Sequence, residues 1–172
     1  MQMLNYEVTH ARLLEKQYGI SAHEIKHFMD GMFDSFPEGL AGFAVLDKPL
    51  TPPQFRNKLD PKLSALKDQI SGLTQEDLEF MELQSQSRKD FYWNNRYLPG
   101  KQLMSYSFLS LDYRFCAFSL PLFTQNRRQV FIEYAFYCDG ICGVGGFITY
   151  NLDVDRKWRE IAVTLCRSNL LK

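Results

Sequence analysis

The stretch that decides the fold is Phe131–Tyr150, FIEYAFYCDGICGVGGFITY. It contains two runs rich in aromatic and β-branched residues, which is the composition typical of β-strands. Between the runs lie two cysteines, Cys138 and Cys142, among several glycines. Since two strand-like runs joined by a short glycine-containing segment are typical of a hairpin, we expect this stretch to form an antiparallel pair of strands.

Strand-like runs occupy most of the chain from residue 102 onward. They cover Met104–Leu109, Tyr113–Phe118, Gln129–Tyr137, Gly146–Leu152 and Lys157–Leu165. Short turns separate them, the clearest at 126–128 and 153–156, so adjacent strands are expected to be antiparallel.

The first hundred residues have the periodicity of amphipathic helices instead. Helical spacing covers about 6–17, 21–36, 54–58, 61–70 and 74–87. Ser21 with Glu24 and Thr74 with Asp77 have the spacing of capping boxes, in which two residues exchange hydrogen bonds at a helix N-terminus. In the second helix the core-facing stripe is predicted to consist of Ile25, Phe28, Met29, Met32 and Phe36.

These patterns predict one α+β domain over residues 1–172. Residues 1–101 are expected to be mainly helical. Residues 102–172 are expected to form a curved antiparallel sheet of about four to five strands, on which the N-terminal helices pack. A chain of 172 residues with 45% apolar residues is long enough to bury a single core.

Charge and hydropathy narrow the class of partner. Lys plus Arg and Asp plus Glu number 20 each, so bulk electrostatics do not favour nucleic acid. No apolar run has the length of a spanning helix, and the first residues lack the apolar region of a secretory signal. We therefore expect a soluble cytoplasmic protein with reduced cysteines, or an exported one if a signal peptide has been removed. Its oligomeric state is left open.

One motif resembles a metal site. His23-Glu24-Ile25-Lys26-His27 matches H-E-x-x-H, in which two histidines one helical turn apart bind zinc and the glutamate activates a water molecule. Asp30 or Asp34, on the same helix stripe, could supply a third ligand. The competing interpretation is a solvated helix face, which we favour because Glu24 is already assigned to the capping box and no strand precedes the motif.

The cysteine-containing segment has three interpretations. Its cysteine spacing fits neither a C-x-x-C redox motif nor a paired structural zinc site. We favour packed thiols in a structural hairpin connection, with a disulfide and metal or redox chemistry as the alternatives. The residues assigned to this connection are Cys138, Gly140, Cys142, Gly143, Gly145 and Gly146, and the glycines are expected to provide positive φ in a tight, bulged connection.

The aromatic segment Phe91-Tyr92-Trp93, together with Tyr97, has two interpretations. Exposed aromatic residues line many partner-binding surfaces. In a chain with an aromatic content of 15%, however, core packing is the commoner fate of such residues, and we expect it here.

Several segments also resemble one family. They are LTQEDLEFMELQ from Leu73, Trp93, FSLPLFT from Phe118, IEYAFYCDGICGVGGF from Ile132 and KWRE from Lys157. Together they resemble small uncharacterised bacterial proteins of Bacteroidetes type, which share an F-S-x-P-x-F strand end and a Y-C-G-x-x-C-G-x-G hairpin. The resemblance covers about residues 73–160, implies no catalytic residues, and is broken at Asp139, where the family has glycine.

Two functional hypotheses follow. The first is a non-enzymatic soluble binding protein whose partner is another protein, for example an immunity or other partner-neutralising protein without a cofactor. The second is a zinc-dependent hydrolase with His23, His27 and Asp30 as ligands and Glu24 as the base.

Overall fold

The structure, a computed structural model, describes residues 19–35, 43–50, 72–86, 91–105, 114–138 and 142–166. Within these ranges the chain forms two helices and one seven-stranded mixed sheet, which confirms the α+β class. The helices are α1 (Ala22–Ser35) and α2 (Gln75–Gln86), and the strands are β1 (Ala44–Leu46), β2 (Leu103–Met104), β3 (Phe115–Phe118), β4 (Leu122–Phe123), β5 (Gln129–Cys138), β6 (Cys142–Leu152) and β7 (Trp158–Cys166). The helices predicted near 6–17, 54–58 and 61–70 lie outside the described residues.

The sheet is larger than the predicted four to five strands, and it is not purely antiparallel. Its order is β2-β1-β3-β5-β6-β7, and β4 pairs with β5. Strand β1 runs parallel to both β2 and β3. Strands β3, β4 and β6 are antiparallel to β5, and β7 is antiparallel to β6. The prediction lacked β1 and β4, which are only three and two residues long, too short to show an alternating pattern. The strand predicted at Met104–Leu109 overlaps β2 at Met104, and its part from residue 106 lies outside the described residues. Strand β1 also comes from the half of the chain predicted to be helical.

Both faces of the sheet are covered near the start of β5. Val130 and Ile132 belong to a large core cluster on the first face, where helix α1 contributes its predicted stripe of Ile25, Phe28, Met29 and Met32. The intervening Phe131 lies in a smaller cluster on the second face, with Leu78 and Met81 of α2. Because successive side chains of a strand point to opposite faces, β5 separates the two helices. Phe36, also assigned to the stripe, lies outside the described residues.

Strands β3 and β4 lie end to end along the same edge of β5 and are separated by a bulge. Phe118 pairs with Tyr134, but Leu122 pairs with Phe131, so one extra residue is accommodated between them. At this point the Ser119 hydroxyl accepts a hydrogen bond from the Glu133 N–H at 2.9 Å and takes the place of a main-chain acceptor. Pro121, which lacks an N–H, fits such a break in the ladder.

Besides apolar packing, a buried polar side chain of helix α2 is hydrogen-bonded to β4. The Gln84 amide donates to the Phe123 carbonyl at 2.7 Å, and the Phe123 N–H donates to Gln84 Oε1 at 3.0 Å. These two bonds reproduce the pairing that another strand would make with Phe123. Gln84 therefore satisfies the hydrogen bonds of β4 on the side away from β5.

The glycine-rich connection differs from its prediction. Strand β6 begins at Cys142, four positions before the predicted start at Gly146, so Cys142, Gly143, Gly145 and Gly146 belong to a strand. The β5–β6 register is continuous from Gln129↔Asn151 to Cys138↔Cys142 and contains no bulge. Glycine can adopt the extended backbone of a strand as well as a turn. The number of glycines therefore did not show where the turn ends and β6 begins. Gly140 lies outside the described residues.

Candidate interaction surface

The predicted capping box at the start of α1 is confirmed. It engages the glutamate of the H-E-x-x-H motif in hydrogen bonds at the helix N-terminus. Glu24 Oε2 accepts the Ser21 N–H at 2.8 Å and the Ser21 hydroxyl at 2.9 Å, while the Ser21 hydroxyl accepts the Glu24 N–H at 3.2 Å. The other carboxylate oxygen lies 3.6 Å from Nε of Arg127. The Glu24 carboxylate is therefore held against the helix terminus and the β4–β5 turn.

The remaining residues of the motif lie along α1. His23 and His27 are exposed, and His27 Nδ1 accepts a hydrogen bond from the Trp158 indole N–H at 3.3 Å. Asp30 forms an ion pair with Lys26 one turn away, and Asp34 is exposed. Among the described residues, no group of three or more His, Cys, Asp or Glu side chains is arranged to hold a metal ion. Zinc binding by His23 and His27 stays a prediction.

Cys116 is a packed thiol inside the core. Its sulfur donates a hydrogen bond to the Ala44 carbonyl at 3.6 Å, and burial raises the pKa of the Cys116 thiol to about 12. A thiol with so high a pKa forms little of the reactive thiolate near neutral pH. For Cys138 and Cys142 the structure gives the main-chain register, in which they are direct partners at the end of the β5–β6 ladder.

Residues 91–101 form a rigid segment that packs on the sheet through its buried side chains. Trp93, Tyr97 and Leu98 are almost fully buried, which confirms the expected core packing for Trp93 and Tyr97, whereas the same expectation was wrong for Tyr92. The Trp93 N–H donates to the Asp47 carbonyl at 2.6 Å, and the indole N–H donates to the Phe118 carbonyl at 3.2 Å. The residue that follows β1 and the last residue of β3 thus both hold Trp93 in place.

The aromatic rings of this segment also support one another. The Phe91 ring centroid lies 5.1 Å from those of Trp93 and Tyr97, and Lys101 Nζ lies 4.3 Å from the centre of the Phe33 ring on α1. The Leu98 N–H donates to the Asn94 carbonyl at 3.0 Å, and the Arg96 N–H donates to Asn94 Oδ1 at 2.9 Å. The main chain between the buried anchors is therefore fixed by its own hydrogen bonds.

The same segment exposes side chains that are common in protein interfaces. The Tyr92 side chain is 53% exposed, although its neighbours on both sides pack into the protein, and Arg96 is also exposed. Tyrosine and arginine are enriched among residues that contribute most to binding energy. Because the buried anchors fix their backbone, Tyr92 and Arg96 would lose little backbone freedom when a partner binds.

Four exposed cations lie in this segment or in the strands and turns beside it. They are Lys48, Arg96, Lys101 and Arg114, and Asp47 is the one acidic residue within residues 43–50, 91–105 and 114–118. The main chains of Gln102 and Arg114 accept hydrogen bonds from Val45 and Ala44, so Lys101 and Arg114 flank the start of β1 on opposite sides. Lys48 follows Asp47, whose carbonyl accepts the hydrogen bond from the Trp93 N–H. We call Tyr92, Lys48, Arg96, Lys101 and Arg114 the basic surface.

The sequence indicated the aromatic residues of this surface but not its cations. The aromatic segment drew attention to Phe91, Tyr92, Trp93 and Tyr97, but four cations at distant positions give no local charge run. The pairing of β1 in parallel with both β2 and β3 places Lys101 and Arg114 beside the start of β1, and Lys48 follows its end. That pairing depends on contacts distant in sequence and was not predicted.

No protein-family model matches the chain, and comparisons with curated proteins and with solved structures likewise find no match. The resemblance to Bacteroidetes-type proteins stays a prediction. Within the described ranges, neither α1 nor α2 is long and apolar enough to cross a membrane.

Proposed function

We propose that this chain is a non-enzymatic binding protein that recognises an acidic surface of another protein through its basic surface. The observation that carries the proposal is the exposure of Tyr92 on a segment whose adjacent residue Trp93 is buried and hydrogen-bonded to the carbonyls of Asp47 and Phe118. An aromatic side chain held on a rigid support is typical of a binding hot spot.

Charge supports an acidic protein as the partner. Within residues 43–50, 91–105 and 114–118, four exposed cations and one acidic residue would attract negative charge and speed the encounter with a partner that carries it. Nucleic acid fits less well, because the chain as a whole has no net charge and phosphate-backbone binding depends on many cationic contacts. An immunity or partner-neutralising role belongs to this proposal as one biological form of it.

Site-specific photocrosslinking tests the proposal. A photoreactive aromatic amino acid replaces Tyr92 in one variant and Val154 in a control variant, and both proteins are exposed to lysate of the native host. Val154, in the β6–β7 turn, is 88% exposed and so reports non-specific contacts. We expect one protein to be crosslinked from position 92 and not from position 154, through an acid-rich peptide.

Three results would overturn the proposal. They are equal crosslinking from both positions, crosslinking to nucleic acid, and crosslinking from neither position while the folded variants keep the circular dichroism of the wild type. The first would indicate general stickiness, the second a different class of partner, and the third a different surface.

A zinc-dependent hydrolase is the second candidate, favoured by two exposed histidines one turn apart on α1. In that case His23, His27 and Asp30 would bind the metal and Glu24 would act as the base. Metal analysis of protein purified without a histidine tag separates the candidates. Stoichiometric zinc that is lost in His23→Ala would support the hydrolase, and protein without zinc after growth in zinc-supplemented medium would contradict it.

A further inference from the structure

The two cysteines of the central hairpin are paired by the sheet itself. Cys138 ends β5, Cys142 begins β6, and the register makes them direct cross-strand partners. Residues directly opposite each other in an antiparallel pair lie on the same face of the sheet. Three residues of sequence separate the cysteines, so a bond between them would close a very small loop.

The hydrogen-bond pattern of the hairpin gives the distance between their α-carbons. The Leu152 N–H donates to the Arg128 carbonyl at 2.7 Å, so the pair one step beyond Gln129↔Asn151 is of the hydrogen-bonded type. Pair types alternate along an antiparallel ladder, which makes Cys138↔Cys142 the same type, with α-carbons about 5.5 Å apart. Disulfides span α-carbon distances of about 4.4–6.8 Å, a range that includes the distance expected for this pair.

The register of the neighbouring strand places an arginine opposite one member of this pair. Arg114 is exposed and immediately precedes Phe115, the partner of Tyr137. Extending that register by one residue brings the main chain of Arg114 beside Cys138. A neighbouring guanidinium favours the thiolate, which is the form that attacks a disulfide.

We propose that Cys138 and Cys142 form a reversible cross-strand disulfide and are the thiol-modification site of this protein. The oxidant is a low-molecular-weight disulfide such as oxidised glutathione. The thiolate of one cysteine attacks it, forming a mixed disulfide and releasing one glutathione. The second cysteine then attacks the protein sulfur, forming the internal bond and releasing the other glutathione, so the two thiol protons end on the two glutathione molecules. This proposal is independent of the binding function.

The other two cysteines provide internal controls. Cys116 is buried, and its thiol is hydrogen-bonded to Ala44. Cys166 pairs with Gly145 and therefore has no cysteine opposite it in β6. If the register decides reactivity, neither should enter an internal disulfide.

Tryptic mapping can read each site separately, because the chain has no Lys or Arg between Arg128 and Arg156. One peptide, 129–156, carries Cys138 and Cys142, while Cys116 and Cys166 fall in peptides 115–127 and 160–167. The reduced full-length chain is incubated with oxidised glutathione, and the remaining thiols are blocked before digestion. We expect peptide 129–156 to lose two hydrogens, to bind no blocking reagent, and to regain both thiols after dithiothreitol.

Single variants test whether the reaction passes through a mixed disulfide. Cys138→Ser and Cys142→Ser should each stop at a mixed disulfide with glutathione, whereas Cys166→Ser should form the internal bond as the wild type does. Arg114→Gln should slow the oxidation several-fold without changing the product. Two wild-type results would overturn the proposal: glutathione retained on peptide 129–156, or two blocked thiols there under conditions that oxidise a synthetic peptide of the same sequence.

Discussion

Replacing Gln84 with alanine should weaken the contact between α2 and the sheet. The Gln84 side chain is fully buried and makes hydrogen bonds to both main-chain groups of Phe123. Alanine would leave a buried N–H and a buried carbonyl without partners, at about 1–3 kcal/mol each. We expect a total loss of about 3 kcal/mol in the free energy of unfolding, because water entering the space would partly solvate the groups.

Urea denaturation followed by circular dichroism measures this loss, and Gln75→Ala is the matched control. Gln75 lies on the same helix, is exposed, and makes one long hydrogen bond of 3.4 Å to Glu79. Its truncation should change the free energy of unfolding by less than about 0.5 kcal/mol. If Gln84→Ala were as mild as Gln75→Ala, the attachment of α2 through Phe123 would be wrong.

Three further predictions concern stability at alkaline pH, the helix cap and the core indole. Burial raises the pKa of Tyr150 from 10.0 to about 12, so between these pH values the unfolded chain binds fewer protons than the native protein. Tyr150 should therefore lower the free energy of unfolding by up to about 3 kcal/mol as pH rises through this range, in addition to the fall caused by the buried Cys116 thiol, and the total fall should be smaller in Tyr150→Phe, as measured by urea denaturation at each pH. Ser21→Ala should cost about 1 kcal/mol, because it removes one half of the capping box, and an unchanged thermal midpoint would contradict this. Trp158→Ala should cost about 3–5 kcal/mol, since the indole packs against Phe28 and Gly31 as well as bonding to His27. Trp158→Phe should restore most of that loss, and a phenylalanine variant as unstable as the alanine variant would contradict the packing argument.

Features set by residues close in sequence could be predicted. The bonds between Ser21 and Glu24 and between Thr74 and Asp77 span three residues each, and both capping boxes form as expected. The apolar stripe of α1 depends on a spacing of three and four residues, and its described members are all buried. The turns at 126–128 and 153–156 also lie where the polar residues predict them, with Arg127 and Arg156 at positive φ.

Features set by contacts distant in sequence could not be predicted. The bond from Trp158 to His27 joins residues 131 positions apart, so no local pattern indicates that this histidine has a partner. Strand β1 is recognisable only by its parallel neighbours, β2 and β3, because three apolar residues fit many conformations. The basic surface depends on the same pairing, which explains why the sequence suggested Tyr92 but not the cations around it.

The most direct test of the binding function is a comparison of two charge reversals. Affinities for the protein crosslinked from position 92 are measured by calorimetry for the wild type, Arg96→Glu and Lys157→Glu. Both substitutions reverse one exposed cation, but Lys157 lies beyond the basic surface, at the start of β7. We predict that Arg96→Glu raises the Kd at least about tenfold and that Lys157→Glu leaves it nearly unchanged. Equal effects of the two reversals would contradict recognition through the basic surface.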